Sequence, residues 1–371
     1  MSRSGLRVLF VVNGEGRGHL AQALAVSELI EEAGHTLCGI WVGEGAPGSV
    51  PDLFRKGFAV PPTSFPSLRL MPGRARKSIS RFATLSHNAL RAPRYWGAIR
   101  HLHAAMKRER PDLVVNFWDH LGGVAFASGA PAGTRMLAIS SLHYLFDHPD
   151  VPPPPAGGAE LGMFRLLNRL TAPPGVPRVA LSLRPLADAT DVLGRVTWVL
   201  PPVLRGAVLD AEPEEGEHLL VYLLHHGLAD DLARWHETRP DTLVHVFWDR
   251  PGAPERSELR PNLICHRLSD ALFLDLMRSC RAIVTTAGFQ AVAEARWLGK
   301  PVMVIPTRGH IEQRWNAQET AASGAGIVGD RFDPTALLDY LPTHRADTAA
   351  YRAWVLEGRR RLLGLIEHSA A

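Results

Sequence analysis

The sequence predicts an α/β protein of two doubly wound, parallel-sheet units, and three observations carry that prediction. Short apolar runs alternate with segments of helical periodicity along the chain, the pattern of strand–helix–strand units. Two of these strands end in small-residue turns that open helices. One is Asn13-Gly14-Glu15-Gly16-Arg17-Gly18-His19 after Arg7–Val12; the other is Thr286-Ala287-Gly288 after Ala282–Thr285. The 371 residues, 46% of them apolar, exceed one ordinary domain and suffice for two cores.

In the first half, a helix over Leu20–Ala33 stops at Gly34, and strands follow at Leu37–Val42, Leu113–Phe117, Met136–Ser140, Val179–Leu183 and Val196–Leu200. A dinucleotide fingerprint is set aside here. Gly18 comes one residue early, His19 takes the third glycine's place, and Glu44 falls past the end of the second strand. After Pro201-Pro202 the composition turns polar and acidic, which marks a linker. The expected domains are therefore 1–205 and 206–345. The second opens with strands at His218–Leu224, Leu243–Trp248 and Leu263–His266. From Ala346 the chain reads as a helix with an apolar stripe of Trp354, Leu362, Leu363 and Ile366.

Composition narrows the class. No apolar run reaches the roughly 18–20 residues of a membrane-spanning helix, and the first strand passes straight into the glycine turn, so no signal peptide is expected. Cys38, Cys265 and Cys280 lack metal-ligand spacing and read as reduced thiols of a cytoplasmic protein. A net charge of +4 comes with no nucleic-acid recognition motif, so no nucleic acid is expected as a partner.

The stretch Cys280–Gly326 carries the chemistry. A helix N-terminus at the carboxyl end of a parallel strand is where α/β sheets bind ligands, and its free N–H groups suit a diphosphate. Gln290 and Glu294 stand four residues apart on one face of that helix, where the carboxylate can accept hydrogen bonds from ribose hydroxyls. The turn Gly299-Lys300-Pro301, the strand Val302–Ile305 and a polar loop to Glu312-Gln313 complete a βαβα unit.

This ordered pattern resembles the donor-binding motif of GT-B glycosyltransferases. It is similar both to the family-1 enzymes and to the family-28 enzyme that adds N-acetylglucosamine to lipid-linked peptidoglycan precursors. The matching positions are Ala287-Gly288, Glu294, Gly299-Lys300-Pro301 and Glu312-Gln313-Arg314-Trp315-Asn316-Ala317. Three depart: the plant-type motif has His at Thr286, a hydroxyl residue at Ala291 and Asp at Glu312.

The resemblance implies two Rossmann-like domains facing each other across a cleft, with the C-terminal helix (346–371) returning to the first. It implies inverting, metal-independent sugar transfer from a UDP- or dTDP-sugar to an acceptor hydroxyl of lipid or natural-product type. No cofactor is implied beyond the nucleotide-diphosphate sugar as co-substrate. Donor contacts would come from Thr286, Ala287, Gly288, Phe289, Gln290, Glu294, His310, Glu312 and Gln313. Arg267 and Leu268 would bracket the nucleobase, and His226 would approach the diphosphate. Gly16, Arg17 and Gly18 would admit the acceptor beside His143. His19 would be the general base, with Glu15 as second candidate. Asp119 is either the partner of His19 or an N-cap; both readings stand. A hexosamine-nucleotide 2-epimerase of the same fold would need an N-terminal Gly-Thr-Arg-Pro-Glu-type motif, absent here. A non-catalytic nucleotide-sugar or lipid-binding protein is the alternative from another class.

Two further segments stand out. Arg69–Arg110 holds eleven Lys/Arg against one acidic residue, Glu109, interleaved with Phe82, Leu85, Leu90, Tyr95, Trp96 and Ile99. It reads as a solvated face, a site for an anionic acceptor, or a surface in peripheral contact with the inner face of an anionic membrane. Phe146–Leu161, rich in Pro and Gly, reads as a lid over the acceptor. His143 and His148 lack the carboxylate or Cys neighbours of a metal site, so no metal is expected.

Overall fold

The computed structural model describes residues 5–15, 17–45, 50–69, 71, 80–143, 148, 151–152, 157–190, 196–223, 229–248 and 252–371. They form two compact units, one from the described residues of 5–71, 81–206 and 354–371, the other from Ser80 and those of 207–353.

The first unit holds β1 (Arg7–Asn13), β2 (Thr36–Glu44), β3 (Thr63–Pro66), β4 (Leu113–Phe117), β5 (Arg135–Ser140), β6 (Arg178–Leu181), β7 (Ala189–Thr190) and β8 (Val196–Leu200). Their order is β3-β2-β1-β4-β5-β6-β8-β7, parallel except for the short edge strand β7. Six of the seven residues of β1 are buried, as expected of a central strand covered on both faces. The strand order reverses beside β1, so the carboxyl ends of β1 and β4 border a topological switch point.

The second unit holds β9 (Leu219–Leu223), β10 (Val244–Trp248), β11 (Arg256–Arg260), β12 (Leu263–Arg267), β13 (Ala282–Thr285), β14 (Val302–Val304) and β15 (Gly326–Val328), in the order β11-β12-β10-β9-β13-β14-β15. Only β11 is antiparallel, and here the order reverses between β9 and β13. Its sequence, RSELR, has no apolar signal: it pairs through its backbone at a sheet edge, which is why periodicity does not find it.

Several boundaries differ from the sequence reading. The first helix covers Gly18–Glu32, so Gly18 and His19 lie in its first turn and not ahead of it. It ends in a Schellman turn, in which Gly34 at φ 80° donates to Glu31 O and His35 donates to Ile30 O. Glu44 is the last residue of β2, not beyond it, yet its carboxylate is occupied by Ser64 Oγ (2.9 Å) and Arg55 Nη2 (3.2 Å). Residues 201–205 are buried, and Gly206 N–H donates to Glu28 Oε2 at 2.6 Å. Beyond them Glu214 is tied to Arg278 and Lys300, so the polar stretch is held by side chains.

The C-terminal helix is Thr348–Ala370, and its buried stripe is Tyr351, Val355, Leu362 and Ile366; Trp354 and Leu363 are half-buried. Gly358 is required where the helix crosses Pro201, because a Cβ there would strike the proline ring. Arg359 pairs with Glu32 at 2.6 Å and Arg361 with Asp188. Among the described residues no helix is long and apolar enough to cross a membrane.

Candidate active site

In the first unit the site is built on the carboxyl ends of β1 and β4. Asn116, inside β4, donates from Nδ2 to Asp119 O (2.9 Å) and Thr171 O (2.7 Å) and accepts from Asp119 N–H at 3.1 Å. That clamp turns the chain sharply: Trp118 has φ +56°, left-handed backbone that costs a non-glycine residue about 1–3 kcal/mol. The turn aims the indole into the site. Its Nε1–H donates to Asn168 Oδ1 at 3.0 Å, and Asn168 in turn donates to Leu142 O. His19 stacks on the indole with centroids 5.7 Å apart, and His120 meets its edge at 4.8 Å.

Two buried imidazoles, His19 and His120, therefore flank one tryptophan, and a third, His143, is buried near His19. Burial pushes His19 down to about 4, with Gln22 opposing. Burial and then the nearby His19 push His120 to about 4. Burial, then the Arg178 charge, lowers His143 to about 3. All three are neutral at pH 7. His19 Nδ1 and both ring nitrogens of His120 and of His143 have no hydrogen-bond partner among the described residues. Gln22 and Asn168 lie close to His19 and His143 without reaching hydrogen-bond geometry.

Asp119 does not pair with His19, and this corrects one of the two readings. Its Oδ1 accepts from Gly122 N–H at 2.7 Å, capping the helix His120–Gly129, and its Oδ2 accepts from Ser67 Oγ at 2.9 Å. Gly43 makes room for this pair, since a Cβ there would run into Asp119 Oδ2 and Ser67. Burial raises the Asp119 carboxyl to about 6 against those hydrogen bonds.

Glu15 is half-buried, its N–H donates to Asn13 Oδ1 at 2.8 Å, and its charge acts on Tyr95. Arg17 stands at the N-cap of Gly18–Glu32 without a capping side chain, and the space beside Gly18 is open: a Cβ would meet nothing within 4 Å. Gly16 and half of Phe146–Leu161 (146–147, 149–150 and 153–156) lie outside the described residues. Trp118 and His120 were missed in the sequence, because they follow the strand Leu113–Phe117 and belong to no motif spacing.

In the second unit the motif folds at the carboxyl end of β13. Gly288 N–H donates to Thr286 O at 2.6 Å, and Gly288 is the N-cap of Phe289–Trp297 with no side-chain cap. A Cβ on Gly288 would have only Thr286 O within 4 Å, so the ground in front of the helix start is open. Thr286, Ala287, Phe289 and Gln290 are buried around it. Asn316 Nδ2 donates to Ala287 O at 2.9 Å, locking the turn from the neighbouring helix. Glu294, buried, accepts from Gln290 Nε2 at 3.3 Å. Past the helix, Gly299 takes φ +69° in a second Schellman turn, with Lys300 N–H donating to Ala295 O.

The chain belongs to glycosyl transferase family 1. The family model, described as "Glycosyl transferase family 1", matches residues 6–343. No curated protein sequence matches. Solved structures with the same fold include the glycotransferase of kitacinnamycin, 19% identical over 98% of this chain and 99% of that one, with a TM-score of 0.63. LpCGTa in complex with UDP is 17% identical over 99% and 100%, TM-score 0.64. SsfS6 of Streptomyces sp. SF2575, complexed with thymidine diphosphate, is 16% identical over 98% and 99%, TM-score 0.58. The fold is that of the GT-B glycosyltransferases, and the protein is a glycosyltransferase.

The remaining predicted donor residues of this glycosyltransferase fall at separate places. His310 is the N-cap of Ile311–Ala322 and Glu312 lies in its first turn, half-buried. Gln313 is buried and its Oε1 accepts from Thr307 N–H at 2.8 Å, so that oxygen holds the preceding loop and is not turned to a ligand. Arg267 ends β12, ion-paired with Glu255 at 2.7 Å, and Leu268 beside it is half-buried. His226 lies outside the described residues.

Proposed function

We propose that this glycosyltransferase moves a sugar from a UDP- or dTDP-sugar to a hydroxyl of a small-molecule or lipid acceptor, with inversion and without a metal. The observation that carries the donor side is the uncapped, open helix start at Gly288 with buried Glu294 one and a half turns along the same helix. Free N–H groups and the positive helix end there stabilise a leaving diphosphate, so its charge needs no divalent ion. Glu294 accepts from the ribose hydroxyls. The nucleotides bound in LpCGTa and SsfS6 support this class of donor.

On the acceptor side, neutral His19 takes the hydroxyl proton as the oxygen–anomeric carbon bond forms and the bond to the diphosphate breaks. A single displacement of this kind inverts the anomeric centre. Dissociation constants for UDP and dTDP by calorimetry, and the anomeric configuration of the product by NMR with an isotopically labelled sugar donor, test the reading. Retention of configuration, or no affinity for either nucleotide, sinks it.

A further inference from the structure

The helix Arg81–Leu90 is amphipathic with its faces reversed. Its polar residues turn inward: Asn88 Oδ1 accepts from Arg69 N–H (3.0 Å) and from Tyr95 Oη–H (2.7 Å), its Nδ2 donates to Arg69 O (2.9 Å), and Thr84 Oγ1 accepts from Met71 N–H (3.0 Å). Its apolar residues turn outward, with Phe82 83%, Leu85 66% and Leu90 84% exposed. The next helix, Ala92–Glu109, buries Tyr95, Ala98, Ile99, Leu102, Ala105 and Met106 in the core. Its outer line is Trp96, 66% exposed, followed at helical spacing by Arg100 and Lys107, with Arg94 exposed at its start. From Arg69 to Arg108 the sequence contains no carboxylate.

A solvated helix face has the opposite arrangement, and large exposed apolar side chains grouped together mark a contact surface. We propose that this face docks the enzyme on a lipid bilayer with anionic headgroups. Phe82, Leu85, Leu90 and Trp96 enter the interfacial layer, and Arg100 and Lys107 meet the headgroups. Charge decides the occupant: an apolar stripe bordered by cations and free of acids is how a helix lies on an acidic membrane surface. The docking goes beyond the sugar-transfer reading and stands without it.

Sedimentation of the full chain with vesicles of phosphatidylcholine containing about 30% phosphatidylglycerol, and with pure phosphatidylcholine, tests this at low and high salt. The expected result is binding to the anionic vesicles at low salt, weakened at high salt and about fivefold weaker for each cation lost in Arg100→Gln/Lys107→Gln. Phe82→Gln/Leu85→Gln should abolish it while the thermal midpoint and the affinity for UDP stay as in wild type. No sedimentation with anionic vesicles at low salt overturns the proposal. So does unchanged vesicle binding by Phe82→Gln/Leu85→Gln, including the case where that variant raises KM for a soluble acceptor and the face serves the acceptor instead.

Discussion

His19 stacks on Trp118 at 5.7 Å between ring centroids and 20° between planes, while no carboxylate reaches either of its nitrogens among the described residues. The imidazole is thus oriented by an aromatic face, and its low proton affinity comes from burial. The imidazole is therefore neutral at pH 7, with a lone pair free of an acid partner.

Replacing His19 by Ala should leave UDP affinity unchanged and cut turnover by roughly 10²–10⁴. Steady-state kinetics beside calorimetry check this. Near-wild-type turnover would move the proton to Glu15 or elsewhere.

Asp119 should matter to stability more than to chemistry. Asp119→Ala removes a helix cap and strands the buried Ser67 hydroxyl, together costing about 2–4 kcal/mol in denaturant unfolding. Asp119→Asn keeps an acceptor for Gly122 N–H and should change turnover only a few-fold. A tenfold or larger loss of turnover at unchanged stability would return the residue to the catalytic machinery.

Substituting Glu294 with Gln should weaken binding of UDP about ten- to a hundredfold, since a charged acceptor is exchanged for a neutral one. The near-isosteric change spares the buried packing around Gln290 that Ala would disrupt. Unaltered affinity would place the nucleotide away from this helix.

Acid should unfold the first unit through its buried imidazoles. Their folded pKa values, about 4, 4 and 3, lie below the unfolded 6.5, so their contribution is present above pH 6.5 and lost as pH falls toward 4. Asp119 runs the other way: with a folded value of about 6 against 3.8, it favours the folded state as pH drops through the same window. Each histidine contributes about 3 kcal/mol between pH 7 and 4 and the aspartate offsets about one of them. Thermal midpoints should therefore fall steadily from pH 6.5 to 4, and His120→Leu should flatten the slope. A flat profile would contradict the burial.

The sequence alone determined the fold class, most strand positions and the βαβα motif around Gly288 and Glu294. Each is local: apolar runs report strands, and turns, glycines and Glu294 are read at fixed spacing along one βαβ unit. Short or charged edge strands such as β7, β11 and β15 escaped because backbone pairing, not side-chain pattern, makes them. Only the tertiary structure decided what surrounds His19. Asp119 lies a hundred residues away in sequence, and Ser67 Oγ–H and Gly122 N–H reach its carboxylate first, in the room left by Gly43. The left-handed turn at Trp118, forced by the Asn116 clamp, brings the indole and His120 to the site instead. Such choices depend on which groups compete for the same hydrogen bonds and the same space across strands, and no spacing along one strand records that competition.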